Sequence, residues 1–271
     1  MSLADKFYIA LTSTDIELKQ DFIDSYLKIL RDGKDIEINY KIKEIDKPSY
    51  SPFCTIVNPK DLTTRKDFSS KEGLGSLVHA ITHIEYSAID LALDAVYRFA
   101  DMPIEYKIDW LVVADDEIRH FYMLNEILTE LGFKYGDFPV HCGLFDASVH
   151  TRDDILDRMA IIPRYYEASG LDVNPQIIKK LHNKRKEPMI SRVIDALNII
   201  YDEEITHVKK GDIWFKYICN QRGLDVQKTY MNTLKRYRLD TKHRPHINIQ
   251  ARKEAGFSCD EIIKLGAKSC D

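Results

Sequence analysis

The sequence predicts a mainly α-helical protein: a four-helix bundle with an N-terminal helix/strand arm and a C-terminal helical, basic tail. Three observations carry this. Apolar residues recur at helical spacing through four long stretches between about residues 71 and 222. Two of those stretches contain Glu-x-x-His: Glu117 with His120, inside Asp116-Glu117-Ile118-Arg119-His120, and Glu204 with His207, inside Glu203-Glu204-Ile205-Thr206-His207. Each is preceded by a stretch with a single candidate glutamate, Glu85 and then Glu167. That alternation is the ligand order of dinuclear carboxylate sites built inside helical bundles.

Residues three apart share a helix face, so each Glu-x-x-His can grip one ion. The face of Glu117 collects Trp110, Val113, Ala114, His120, Phe121, Leu124, Leu128 and Leu131; that of Glu204 collects Val193, Leu197, Ile200, Tyr201, His207, Val208, Phe215 and Ile218. These carboxylates therefore point into the core. An unpartnered buried charge costs several kcal/mol even after relaxation, against ~5–15 kcal/mol for the stability of a whole domain. Arg119 lies off the stripe, and a metal cation supplies the missing charge.

At 271 residues and 44% hydrophobic, the chain can bury a substantial core. The net charge of −4 does not point to nucleic acid or to a membrane surface. Cys54, Cys142, Cys219, Cys259 and Cys270 form no Cys-x-x-Cys pair, which argues against a zinc ribbon, a thioredoxin-type motif or a disulfide scaffold and predicts free thiols in a reducing cytosol. No stretch reads as a secretory leader or an uncharged span of ~18 residues, so a cytoplasmic protein without membrane contact is expected.

Residues 1–70 read as an accessory arm. Thr14-x-x-Glu17 is the pattern of a capping box. Ile16, Ile23, Tyr26, Leu27 and Leu30 follow at helical spacing, and Gly33 ends the run. Ile36, Ile38, Tyr40 and Ile42 then alternate with polar residues, as in a half-buried strand. Pro48, Pro52 and Pro59 mark an irregular linker.

Residues 71–222 form the predicted bundle. The first helix, to about residue 100, carries Glu85 on the stripe Val78, Ile81, Ala88, Ile89, Ala92, Val96 and Phe99. His79 and His83 are one turn apart but point away from Glu85; they read as hydrogen-bonded histidines or as the rim of a site. Asp101 is positioned to cap the second helix, which runs to about Leu131 and stops at Gly132. A connection with Pro139, His141, Cys142, Gly143 and His150 follows. Thr151 is positioned to cap the third helix, where Pro163 predicts a kink before Glu167, whose stripe is the least clear. Asn174-Pro175 reads as the start of a short segment ending in the basic run from Lys179 to Lys186. Pro188 opens the fourth helix, which continues to about Gln221 and stops at Gly223.

Residues 223–271 read as an extension packed on the bundle. Val226, Tyr230 and Leu234 mark one more helix, and Ser258-x-x-Glu261 caps a last short one. From Lys228 to Lys253 there are eight Lys or Arg against the single acid Asp240. This basic stretch is either a solvated covering of the bundle or a contact for a phosphate-bearing partner such as RNA.

Several segments carry a family resemblance: His79-Ala80-Ile81-Thr82-His83-Ile84-Glu85 followed by Ala88 to Ala95, Asp115-Asp116-Glu117-Ile118-Arg119-His120-Phe121, Tyr166-Glu167 through Asn174-Pro175, and Arg244-Pro245-His246-Ile247-Asn248 with Ala251-Arg252-Lys253. With these the chain resembles the ferritin-like superfamily, and within it a bacterial domain-of-unknown-function family with a di-iron carboxylate-type site. The resemblance implies that the acids before each Glu-x-x-His glutamate orient the imidazoles: Asp116 for His207 and Glu203 for His120. A ligating imidazole ordinarily gives its second N–H to a carboxylate.

Carboxylates with imidazole suit two metal ions, Fe first, with Mn or a mixed Fe/Mn pair as alternatives. Glu85, Glu117 and His120 are the expected ligands of one ion, and Glu167, Glu204 and His207 of the other. Two such ions side by side can activate O2, so the leading expectation is an O2-dependent oxidoreductase or hydroxylase acting on a small molecule, with an external electron donor. A non-catalytic iron-binding or metal-stabilised protein and a tRNA-modifying hydroxylase are the alternatives, and a homo-oligomer is compatible with any of them. Val113, Ala114, Phe121 and Ile200 would keep water from the site. Tyr86, Tyr122, Tyr166 and Tyr201 lie within a turn of ligands, as packing or electron-relay residues; Tyr166 and Tyr201, with His79 and His83, are candidates for the rim.

Overall fold

The computed structural model of the chain describes residues 2–34, 41–62, 67–240 and 246–270. Its regular structure among those residues is helical, of the all-α class, and it divides into two compact units, residues 1–146 and 147–271. No strand is present among the described residues; the one β feature there is an isolated parallel bridge between Ile56 and Val140. The expected strand at Ile36, Ile38 and Tyr40 lies outside them, as do Lys242, His243, Arg244 and Pro245 of the basic stretch.

The first unit contains α1 (Leu3–Thr12), α2 (Ile16–Arg31), α3 (Lys71–Arg98) and α4 (Ile104–Glu130). The short connection between α3 and α4 makes them a helical hairpin with the most extensive packing in the unit. The arm packs on this hairpin, α1 on α3 and α2 on α4. Phe7, Phe22, Tyr26 and Tyr97 interlock there edge to face and stacked.

Two caps differ from expectation. Asp15, not Thr14, caps α2, its carboxylate accepting from the N–H groups of Glu17 and Leu18. Pro103, not Asp101, stands at the start of α4, with no side-chain cap: a proline at the entry fixes φ and supplies no orphan N–H. Gly33 and Gly132 end α2 and α4 at φ of +72° and +78°, where a side chain would be strained.

The second unit contains α6 (Ile155–Ile161), a π-helix (Ile162–Glu167), α7 (Ala168–His182), α8 (Pro188–Gln221), α9 (Val226–Arg236), α10 (Ile249–Glu254) and α11 (Cys259–Lys264). The connection containing His141 and Cys142 proves partly helical: α5 (Gly143–His150) carries the point of division between the units. Thr151 does not cap α6. Asp154 does, while the Thr151 hydroxyl donates back to the Ala147 carbonyl. Nor does Asn174-Pro175 begin a segment: α7 runs through Pro175, and Asn174 Nδ2 donates to the Leu197 carbonyl on α8 at 3.1 Å.

The cysteine expectation holds for Cys54, Cys142 and Cys219, which are free, and fails for Cys259 and Cys270, which form a disulfide. Spacing could not show that pairing; the chain after α11 turns back so that the two Cα atoms lie 5.5 Å apart.

Candidate metal centre

Glu85 on α3 and Glu117 and His120 on α4 are all buried. His120 Nδ1 lies 3.1 Å from Glu85 Oε2 and 3.3 Å from Glu117 Oε2. Each of the three offers a donor atom within 4.8 Å of the others, which is the spacing a single ion needs. The stripe predicted around Glu117, from Trp110 to Leu131, is buried throughout, so water does not dilute the charges.

Electrostatics here follow from burial. Desolvation and the neighbouring charge of Glu117 push the Glu85 carboxyl well above its ordinary range, against the pull of His120. Desolvation opposes a charged His120, but hydrogen bonds to Glu117 and Glu85 and their charges outweigh it and raise the ring to about 11. The His120 ring thus holds a proton where a cation would fit. Two hard carboxylates and an imidazole match a first-row divalent ion.

In the second unit, Glu204 and His207 face the same way on α8, with His207 Nδ1 3.6 Å from Glu204 Oε1. His207 is buried, and so is the stripe around it except Tyr201, which is half-buried. Glu167 ends the π-helix, half-buried, with Oε2 shielded from solvent. Asp116 and Glu203 are both partly exposed, and Asp116 pairs with Arg119 at 2.7 Å.

His79 and His83 are buried and hold the segment after α4. The Gly136 N–H donates to His79 Nε2 at 2.9 Å. His83 Nε2 lies 3.0 Å from the His141 carbonyl, which only accepts, so Nε2 carries the proton and Nδ1 accepts from the Tyr135 hydroxyl at 2.8 Å. Tyr86 is buried against Phe121 and Tyr135, whereas Tyr122 is exposed. Tyr166 packs edge-on to Tyr165, and the Tyr201 hydroxyl accepts from Asn248 Nδ2 at 2.7 Å.

Among the described residues, buried charge networks are present that were not identified from the sequence. Lys19 is fully buried, donating to the Ala10 carbonyl and to Asp90, both at 2.7 Å; Asp90 also accepts from Ser49 at 2.6 Å. Its signal was present, since Lys19 sits three residues after Ile16 and before Phe22 on the stripe of α2. Arg164 on the π-helix pairs with Asp212 of α8 and Glu261 of α11. Asp212 lies between Val208 and Phe215 on the buried face of α8, which is the legible sign.

Fold and site together define an all-α protein with a buried carboxylate–imidazole cluster able to hold a metal ion. The chain belongs to the family described as Protein of unknown function (DUF455), which matches residues 12–263. It is 39% identical over 214 residues to an uncharacterized protein of Haemophilus influenzae, covering 76% of this chain and 72% of that one. No solved structure matches. No helix among the described residues is long and apolar enough to cross a membrane.

Proposed function

We infer that this is a ferritin-like dinuclear metal carboxylate protein working as an O2-dependent oxidoreductase on a small molecule. The observation that carries the reading is the gathering of Glu85, Glu117 and His120, buried and within reach of one ion. Glu85, Glu117 and His120 hold the first ion, and Glu167, Glu204 and His207 the second. Iron, or an iron–manganese pair, supplies one-electron redox chemistry toward O2 when bound. The chain's own part is to supply donors, exclude water and manage protons. Val113, Ala114 and Phe121 wall the first ligand set with apolar surface. His120 presents Nδ1 to the carboxylates and donates its N–H to them in the absence of an ion. Asp116 and Glu203, the acids preceding the two Glu-x-x-His glutamates, are the acceptors for the imidazoles' second N–H.

The test is metal content per chain by elemental analysis, followed by optical spectra of the Fe(II)-loaded protein before and after O2. About two ions per chain and a transient oxygen-dependent absorption support the reading. Two ions without any response to O2 move it to a non-catalytic metal-binding role. No ion after anaerobic reconstitution overturns it.

A further inference from the structure

The π-helix Ile162–Glu167 is the one irregularity inside the long helical run from Ile155 to His182. A π-turn takes an extra residue per turn, is rare, and recurs at functional sites. This one ends on Glu167, so the direction in which that carboxylate is presented depends on the turn. Pro163 contributes, because it lacks an N–H and cannot continue an α-helical ladder. The proline does not account for what surrounds the turn.

Arg164, the next residue, is fully buried. Its Nη2 donates to Glu261 Oε1 at 2.8 Å and forms an ion pair with Asp212 Oδ1 at 3.0 Å. Phe215, Tyr230 and Phe257 enclose the guanidinium, with ring centroids at 4.7, 4.2 and 4.7 Å. The Tyr230 hydroxyl donates to the Arg164 carbonyl at 2.8 Å, satisfying one of the backbone groups of the widened turn. Glu261 is itself fixed by the capping box with Ser258, beside the Cys259–Cys270 disulfide. Gly211 of α8, one turn beyond His207 and next to Asp212, admits the Pro163 ring: a Cβ there would stand 2.2 Å from Pro163 Cβ and 2.4 Å from Cγ. Three elements, α8, α9 and α11, thus converge on the turn.

We propose that Arg164 and Gly211 are positioning residues for the metal ligand Glu167: the Arg164–Asp212–Glu261 clamp and the Gly211–Pro163 approach hold the π-turn in the one register that presents it. This rests on the dinuclear reading of the site. The sequence pattern agrees, since Glu167 has the least clear stripe of the four glutamates, and an inserted residue is what breaks a 3.6-residue period.

The experiment measures metal stoichiometry and the affinity for each ion in wild type, Gly211→Ala, Glu261→Gln and Glu167→Gln, with helicity by circular dichroism as the control for folding. Deleting Arg164 would strand two buried carboxylates; Gly211→Ala displaces the turn without leaving a charge unpaired. Gly211→Ala and Glu261→Gln are expected to keep wild-type helicity, keep the first ion at unchanged affinity, and bind the second at least tenfold more weakly, as Glu167→Gln does. A general loss of structure would weaken both ions together and would overturn the positioning role. Two ions held normally by Gly211→Ala and Glu261→Gln, with one lost in Glu167→Gln, overturn the positioning role alone. Two ions held normally by Glu167→Gln overturn it together with the ligand assignment, and no second ion in wild type overturns the dinuclear reading beneath both.

Discussion

His120 Nδ1 on α4 lies 3.1 Å from Glu85 Oε2 on α3, inside a shell from which water is shut out. The contact joins the two helices of the hairpin through a polar group at a place where apolar packing would be the ordinary solution. The charges of Glu85 and Glu117 favour the protonated His120 ring, and that attraction offsets the cost of burying them.

The first prediction follows from that neutralisation. With His120 raised to about 11, the ring is protonated at pH 7, and Glu85 is shifted in the same direction. An incoming ion must displace the His120 proton that faces the carboxylates, so loading at pH 7 releases on the order of one proton and the affinity rises with pH. Calorimetric titration in two buffers of different ionisation enthalpy measures the release. Glu117→Ala should abolish binding of at least one ion and leave a helical protein; binding without proton release would contradict the geometry.

A second prediction concerns His83. Burial lowers the ring to about 4, against the ordinary 6.5, although its hydrogen bond to the His141 carbonyl opposes the shift. Between these values the unfolded chain binds the proton and the folded chain does not. Stability is therefore full above pH 6.5 and declines as the pH falls toward 4, by about 3 kcal/mol at most. Urea unfolding across this range should show the slope, and His83→Gln should flatten it.

Lys19 supports a third. Replacing it with Met leaves Asp90 buried opposite an apolar side chain, which should cost ~3–5 kcal/mol. Adding Asp90→Leu should restore much of the loss. Both effects are read from chemical unfolding midpoints, and a Lys19→Met protein as stable as wild type would contradict the network.

Thiol counting supplies a fourth. In denaturant without reductant, only Cys54, Cys142 and Cys219 should react, three per chain; after reduction, all five should. Cys259→Ser opens a crosslink between residues 11 apart in sequence, and should destabilise the second unit by up to ~3 kcal/mol.

Much of this protein was legible from one dimension. The long helices were, because an apolar period of 3.6 is a local property: α8 runs from Pro188 to Gln221 and stops before Gly223, as proline, stripe and glycine require. The burial of Glu85, Glu117 and His120 was legible for the same reason, since each lies on a stripe whose neighbours are apolar. Helix starts were less so. Thr14, Asp101 and Thr151 each have a near neighbour able to begin the helix, and the local pattern does not choose between them.

What only the tertiary structure decided are pairings across distance. Arg164 meets Glu261 although nearly a hundred residues separate them, and Arg252 is buried on Asp172. Arg236 pairs with Asp157 across a similar separation while its side chain stays largely exposed. The disulfide and the π-turn belong here too. Their causes are the meeting of elements that a helical period cannot place, because the period records which face of a helix is buried and carries nothing about what that face is buried against.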